Sequence, residues 1–155
     1  MDDVPVSLNT NKALQEIRDL PVALLKPAFD VLIPADHAPT AAFWAQYNDE
    51  ERSIGMQACL LIWTVTDFKL VPREFQLEAT IAIMTGKDSL VDVGTGYGKT
   101  LCIIIPCLLD PENLSMIFSP LKRLQAVQVI EFEKYGIKTL AINEDTPNDP
   151  NLWKV

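Results

Sequence analysis

The 155-residue sequence lacks several features that would assign it to a specialised class of protein. It has three cysteines and no Cys-x-x-Cys pair, which argues against a disulfide framework and against a structural zinc site. Its longest apolar runs, Cys59–Val65 and Leu101–Leu109, are too short to span a bilayer. The acidic N-terminus contains no apolar signal segment. We therefore expect an intracellular protein, nuclear if its source is eukaryotic, with no membrane association.

Basic side chains are also in short supply. The chain has 13 Lys and Arg against 21 Asp and Glu, a formal net charge of −8. This balance argues against a protein that coats nucleic acid by bulk charge. The imbalance is concentrated in residues 1–64, which carry 9 acidic and 4 basic side chains. A local basic patch therefore remains compatible with the more nearly neutral C-terminal part.

The first region, residues 1–65, is predicted to be mostly helical. A short helix is expected over Asn11–Leu20, with Thr10 as its N-cap and a proline directly after it. An apolar segment interrupted by proline follows at Val22–Ile33. Apolar residues then recur at spacings of three, four or seven over Ala41–Val65, which predicts one long helix.

The second region, residues 66–155, alternates apolar helical patterns with short apolar runs. This alternation, with short connections, is typical of a parallel sheet with right-handed crossovers, so the predicted fold class is α/β. The predicted elements, in chain order, are helix Arg73–Met84, strand Ser89–Val93, helix Lys99–Leu109, strand Leu114–Phe118, helix Leu121–Tyr135 and strand Lys138–Ile142.

The motif richest in chemical information is VDVGTGYGKT, residues Val91–Thr100. Its three glycines in five residues allow the backbone to curl so that several N–H groups point inward. Together with the positive end of the following helix, these groups would form a cradle for an anion. Lys99 has the reach to contact the β and γ phosphates of a nucleotide, and the Thr100 hydroxyl is a suitable ligand for Mg²⁺.

The motif departs from the strict Gly-x-x-x-x-Gly-Lys-[Ser/Thr] pattern, because Val93 stands where that pattern has its first glycine. A simple glycine turn with Lys99 on the surface is the plain alternative, and we disfavour it because motif and context agree. A dinucleotide-binding loop is excluded, since no Gly-x-Gly-x-x-Gly spans the turn. An ordinary P-loop kinase or GTPase would require downstream acids or base-recognition motifs that are not evident.

Two further segments extend the pattern. Gln76 precedes the loop by about twenty residues, within the sequence PREFQLEA. After the second predicted strand, Ser119 and Pro120 lie at a predicted helix start, where phosphate groups bind readily. Lys122 and Arg123 follow in the first turn.

Taken together, the segment from about Asp67 to Asn143 resembles the beginning of the N-terminal RecA-like domain of superfamily 2 DEAD/DEAH-like helicases, and it is most similar to the RecQ-type DNA helicases. Three blocks carry the resemblance. In chain order they are PREFQ, VGTGYGKTLCIIIPCLL and IFSPLKRLQAVQV with the later YGIKTLAIN.

The resemblance implies ATP and Mg²⁺ as cofactors and single-stranded or partially duplex DNA as partner, with RNA less favoured and no particular protein partner. It implies adenine recognition by Gln76 with help from Arg73, and catalytic roles for Lys99 and Thr100, the latter as Mg²⁺ ligand. The reaction implied is ATP hydrolysis coupled to 3′-to-5′ unwinding. The implied nucleotide-binding residues of the loop are Thr95, Gly96, Tyr97, Gly98, Lys99 and Thr100, and the implied DNA contacts are Ser119, Pro120, Lys122 and Arg123.

The departure with most consequence is that no DExH or DEAD tetrapeptide follows the loop. We therefore expect residues 66–155 to be the first part of a longer ATP-binding domain, cut before that motif. Glu144 and Asp145 are expected to be surface loop residues. Without the acidic motif, binding should survive while efficient hydrolysis should not. The alternative interpretation is a nucleotide- or nucleic-acid-binding module without catalytic activity.

Overall fold

Polar side chains just before the helices set where those helices begin. The computed structural model describes residues 7–153. Ser7 accepts a hydrogen bond on its Oγ from the Thr10 backbone N–H at 3.1 Å, so the first helix begins at Leu8. The predicted cap at Thr10 is therefore wrong, because Thr10 lies inside the first turn.

The helices are α1 (Leu8–Arg18), α2 (Val22–Leu32), α3 (Ala41–Trp44), α4 (Asp49–Val65), α5 (Glu74–Met84), α6 (Leu101–Leu109) and α7 (Lys122–Lys134), and a 3₁₀ turn covers Pro150–Trp153.

The long helix predicted over Ala41–Val65 is divided into α3 and α4 by a second cap. Asn48 accepts on its side chain from the Glu51 N–H at 2.9 Å, and the Glu51 carboxylate accepts from the Asn48 N–H at 3.1 Å. This reciprocal capping box satisfies two donors that a helix start otherwise leaves unpaired. It therefore starts a new helix at Asp49.

Helix α4 is the centre of the core. It packs against α1 and α2, and also against α5 and α6. Burial raises the pKa of the Cys59 thiol, so this cysteine remains protonated and serves as a small apolar core residue. The buried cluster contains residues from both sides of position 65. The division into two domains at residues 65 and 66 stays a prediction. The fully buried residues of α4 are Ala58, Cys59, Leu60, Leu61 and Ile62.

The α/β prediction is wrong for the part of the chain that the structure describes. Ser89–Val93, Leu114–Phe118 and Lys138–Ile142 have no regular secondary structure, and no backbone hydrogen bond joins these segments to one another within residues 7–153. Most of their large apolar side chains are also exposed, with Leu90 95% and Phe118 90% exposed. A short apolar run predicts burial, but a strand also needs a neighbouring strand to pair with its backbone. Here helices alone build the core.

Among residues 7–153, no helix combines the length and the apolar character needed to cross a membrane.

Candidate functional site

The glycine-rich loop leads directly into α6 and is open to solvent. Gly96 and Gly98 adopt φ values of +83° and +84°, in the left-handed region that side chains with a Cβ disfavour. These two residues turn the chain so that the loop curls in front of the first turn of α6. The backbone conformation of the loop therefore favours glycine at both positions.

The loop presents a continuous series of unused hydrogen-bond donors. Within the described residues, none of the backbone N–H groups of residues 94–100 donates to a protein acceptor. The N–H groups that begin α6 lie at the positive end of the helix dipole. A string of free N–H groups beside a helix start is a favourable environment for a phosphate group.

Lys99 and Thr100 add a charge and a hydroxyl to this loop. The exposed Lys99 ammonium donates to the Val93 carbonyl at 3.0 Å, so its side chain is folded back over the loop. The half-buried Thr100 hydroxyl takes part in no hydrogen bond within the described chain. Both groups are therefore free to engage a ligand without breaking a strong internal contact.

Gln76 joins α5 to the loop. It is 2% exposed, its amide Nε2 donates to the Gly98 carbonyl at 2.8 Å, and its Oε1 accepts from the Arg73 N–H at 2.8 Å. The Arg73 guanidinium carbon lies 5.5 Å from the centre of the Tyr97 ring, at cation–π distance. The structure thus brings four of the residues singled out in the sequence to one place. It also gives the Gln76 amide two partners within the chain, which sequence reasoning did not anticipate.

The second group of candidate residues lies at the start of α7. Lys122 forms ion pairs with Glu144 and, at 2.6 Å, with Asp145. Hydrogen bonds to the Asp145 and Glu144 carboxylates raise the pKa of Lys122. Arg123 is exposed and forms no ion pair within the described residues.

Ser119 and Pro120 differ in their exposure. The Ser119 Oγ is buried and has no hydrogen-bond partner among residues 7–153, while Pro120 is exposed. No hydrogen bond or ion pair joins residues 119–123 to the 94–100 loop in the part of the chain that the structure describes. The two groups of candidate residues are therefore not linked to each other by a polar contact.

The site residues that sequence reasoning missed are those that bind Lys122. Glu144 and Asp145 were expected to be plain surface residues, and they are exposed, but both carboxylates are held by Lys122. They are more than twenty residues from Lys122 in the chain. No local spacing could therefore have indicated this pairing.

A metal site made by protein side chains alone is absent from the described residues, where no three His, Cys, Asp or Glu side chains cluster suitably. Mg²⁺ usually binds through one or two protein oxygens together with phosphates and water. The unpaired Thr100 hydroxyl fits that mode.

Comparison with known proteins gives matches to part of the chain. The DEAD/DEAH box helicase family matches residues 73–151. The ATP-dependent DNA helicase RecQ of Pasteurella multocida is 42% identical over 71 residues, covering 46% of this chain and 11% of that protein. RecQ of Haemophilus influenzae is 38% identical over 71 residues, with the same two coverages of 46% and 11%.

A eukaryotic relative shows the same pattern. The ATP-dependent DNA helicase Q1 of Rattus norvegicus is 30% identical over 77 residues, covering 50% of this chain and 12% of that protein. The chain thus spans about a seventh or less of the length of the curated relatives it matches. No solved structure matches the chain.

Proposed function

The chain belongs to the DEAD/DEAH box helicase family, and on this premise we propose that residues 73–123 bind ATP and the backbone of single-stranded or partially duplex DNA for a RecQ-type helicase. The observation that carries the proposal is the series of unused N–H donors at residues 94–100, directly before α6. Matched relatives are named as DNA helicases, which favours DNA over RNA.

In this proposal each part of the loop has a separate task. The free N–H groups of residues 94–100 hold phosphate oxygens. Lys99 exchanges the neutral Val93 carbonyl for a negatively charged phosphate, which is the stronger partner for an ammonium group. Thr100 would hold Mg²⁺ through its hydroxyl, and the ion, when bound, neutralises phosphate charge.

The base-binding end of the site would lie at Arg73, Gln76 and Tyr97. Gln76 already uses one amide hydrogen on Gly98 and one lone pair on Arg73. An amide has two hydrogens and two lone pairs, so one of each is unused within the described chain. Because Gln76 is 2% exposed, adenine would reach them only after the loop moves away from α5. The Arg73–Tyr97 contact supplies a flat surface beside it.

The DNA contact would be at the start of α7. Ser119, Pro120, Lys122 and Arg123 lie within this short segment, and two of them carry positive charge. Hydrolysis coupled to 3′-to-5′ unwinding is the proposed activity of the whole protein to which these residues contribute.

A second candidate function is a nucleotide- and DNA-binding module without turnover. The adjacent acidic residues that follow the loop, Glu144 and Asp145, are engaged by Lys122. A carboxylate that helps to hold Mg²⁺ or to orient the attacking water must instead be available to the nucleotide. Because Lys122 engages both carboxylates, this observation favours nucleotide binding without hydrolysis.

Titration with a fluorescent ATP analogue in the presence of Mg²⁺ tests the binding proposal. Lys99→Ala should weaken binding by about tenfold or more, because it removes a charge-assisted contact. Lys69→Ala is the matched control, since Lys69 is exposed and forms no ion pair within residues 7–153. Equal affinity for all three proteins would overturn the assignment of the loop.

Steady-state ATP hydrolysis, with and without single-stranded DNA, separates the two candidates. DNA-stimulated turnover that Lys99→Ala removes supports the helicase ATPase and rules out the inert module. Nucleotide binding without turnover supports the module.

Gln76→Ala tests base recognition: an unchanged preference for ATP over GTP would contradict the role given to Gln76.

A further inference from the structure

A closed series of hydrogen bonds connects the start of α7 to the loop of residues 143–146. Gln125 is the link, since its Nε2 donates to the Ser119 carbonyl at 2.9 Å and its Oε1 accepts from the Asn143 side chain at 3.0 Å. Asn143 in turn accepts from the Asp145 N–H at 3.0 Å, and Asp145 accepts from Lys122 at 2.6 Å. The series thus returns to α7, the helix that contains both Gln125 and Lys122.

The loop of residues 143–146 is itself ordered by its own bonds. The Asn143 N–H donates to the Thr146 hydroxyl at 2.9 Å, and the Thr146 N–H donates back to the Asn143 carbonyl at 3.0 Å. This small turn holds the carboxylates of Glu144 and Asp145 towards Lys122. The loop therefore presents two negative charges to the surface where the DNA backbone is proposed to bind.

The start of α7 offers unused backbone donors in addition to the Lys122 side chain that these carboxylates engage. No side chain caps this helix start, and the N–H groups of Lys122 and Arg123 donate to no protein acceptor within residues 7–153. Carboxylates and phosphates are both favoured at the positive end of a helix. By engaging Lys122, the acidic loop competes with a nucleic-acid phosphate for this side chain.

We propose that the 143–146 loop is an autoinhibitory contact, in which Glu144 and Asp145 occupy Lys122 and must be displaced before this helix start binds the DNA backbone. This inference rests on the proposed DNA contact at residues 119–123. The loop acts as an internal competitor that weakens DNA binding and makes it less dependent on salt, because Lys122 exchanges one ion pair for another when the phosphate binds.

The competition is reversible because all three charged side chains are solvent-accessible. Lys122 is 45% exposed, and Glu144 and Asp145 are 77% and 74% exposed. Exposed ion pairs are weak and screened by salt. Removing the two negative charges should therefore tighten DNA binding by about two- to fivefold rather than by orders of magnitude.

The test is fluorescence anisotropy of a labelled oligothymidylate with the intact chain over a series of salt concentrations. The variant Glu144→Gln/Asp145→Asn removes both charges and keeps the hydrogen bonds of Asn143 and Thr146. Its control, Glu50→Gln/Glu112→Gln, makes the same change in net charge at exposed residues that form no ion pair in the described chain. We expect tighter binding only in the first variant, with a slope against log salt that is steeper by about one.

A double-mutant cycle assigns the effect to Lys122. In a Lys122→Gln background the charge-removing substitutions should lose their effect, because the competed group is gone. Equal affinities for wild type, the loop variant and the control would overturn the autoinhibitory contact, as would a gain that persists without Lys122. If the ATP analogue binds but no variant binds DNA at any salt concentration, the proposed DNA contact is wrong and the inference fails with it.

Discussion

Gly98 is subject to two constraints at once. Its φ of +84° is unfavourable for a residue with a Cβ, and a Cβ built there would lie 2.8 Å from the Gln76 amide nitrogen. Gly96 has nearly the same φ, +83°, and no atom of the described residues that could obstruct a Cβ lies within 4 Å of its position. Gly96 and Gly98 can therefore be compared directly. Both have a positive φ, but only Gly98 has a neighbouring side chain close to the position of a Cβ.

Gly96→Ala should cost about 1–2 kcal/mol in free energy of unfolding, from backbone strain alone. Gly98→Ala should cost about 1 kcal/mol more, because the buried Gln76 amide must move and give up its hydrogen bond to the Gly98 carbonyl. Urea denaturation of both variants measures the difference. In a Gln76→Ala background the excess should disappear. Equal costs for the two alanine variants would show that the Gln76 contact contributes nothing.

The candidate nucleotide loop illustrates what sequence can predict at the scale of residues. Val91–Thr100 is recognisable because the residues that carry its chemistry are neighbours in the chain. The hydrogen bond from Gln76 to Gly98 spans 22 residues and depends on how α5 packs beside α6. The Lys122–Asp145 pair likewise spans 23 residues. Neither contact has a local signature, so each could be found only in the folded chain.

At the scale of elements, helices were predicted well where periodicity and end signals agreed. The predicted helix Arg73–Met84 is confirmed as Glu74–Met84, and Leu121–Tyr135 is confirmed as Lys122–Lys134. The division between α3 and α4 was missed although Asn48 and Glu51 have capping-box spacing. The apolar periodicity continues across this break, and it outweighed the capping signal in the prediction.

Packing overrides helix propensity at Gly55 in the middle of α4. An alanine would normally gain about 1 kcal/mol at a helix interior. A Cβ at this position would lie 2.7 Å and 2.9 Å from two carbon atoms of the Trp44 ring. Since Trp44 also packs edge-on against Phe29 and Phe43, its ring has little freedom to move. We expect Gly55→Ala to lower the free energy of unfolding by about 1–3 kcal/mol.

The cause of that loss can be isolated by a second substitution. Trp44→Leu removes both ring atoms that a Cβ at residue 55 would contact, at its own cost in packing. In that background Gly55→Ala should be neutral or stabilising, as propensity predicts. Urea denaturation of the four proteins gives the coupling energy. A loss of the same size with and without Trp44 would contradict the steric explanation.

At the scale of the whole molecule, the prediction of a sheet failed for a physical reason. Apolar runs such as Leu114–Phe118 and Lys138–Ile142 predict burial, but hydropathy does not say which surface will cover them. In the described chain all seven α-helices contribute buried residues to the core, which contains Leu61 and Leu77. The extended segments are left outside that core, where their side chains add exposed apolar surface.

This division between core and exterior predicts opposite effects of substitutions in the two places. Phe118→Ser and Leu114→Ser replace side chains that are 90% and 85% exposed, so they should leave the free energy of unfolding nearly unchanged and reduce self-association at high protein concentration. Leu77→Ala, in the fully buried part of α5, should instead cost about 2–5 kcal/mol. Urea denaturation and concentration-dependent light scattering measure the two effects. A loss of stability in Phe118→Ser as large as that in Leu77→Ala would show that this segment belongs to the core and would contradict the helical architecture.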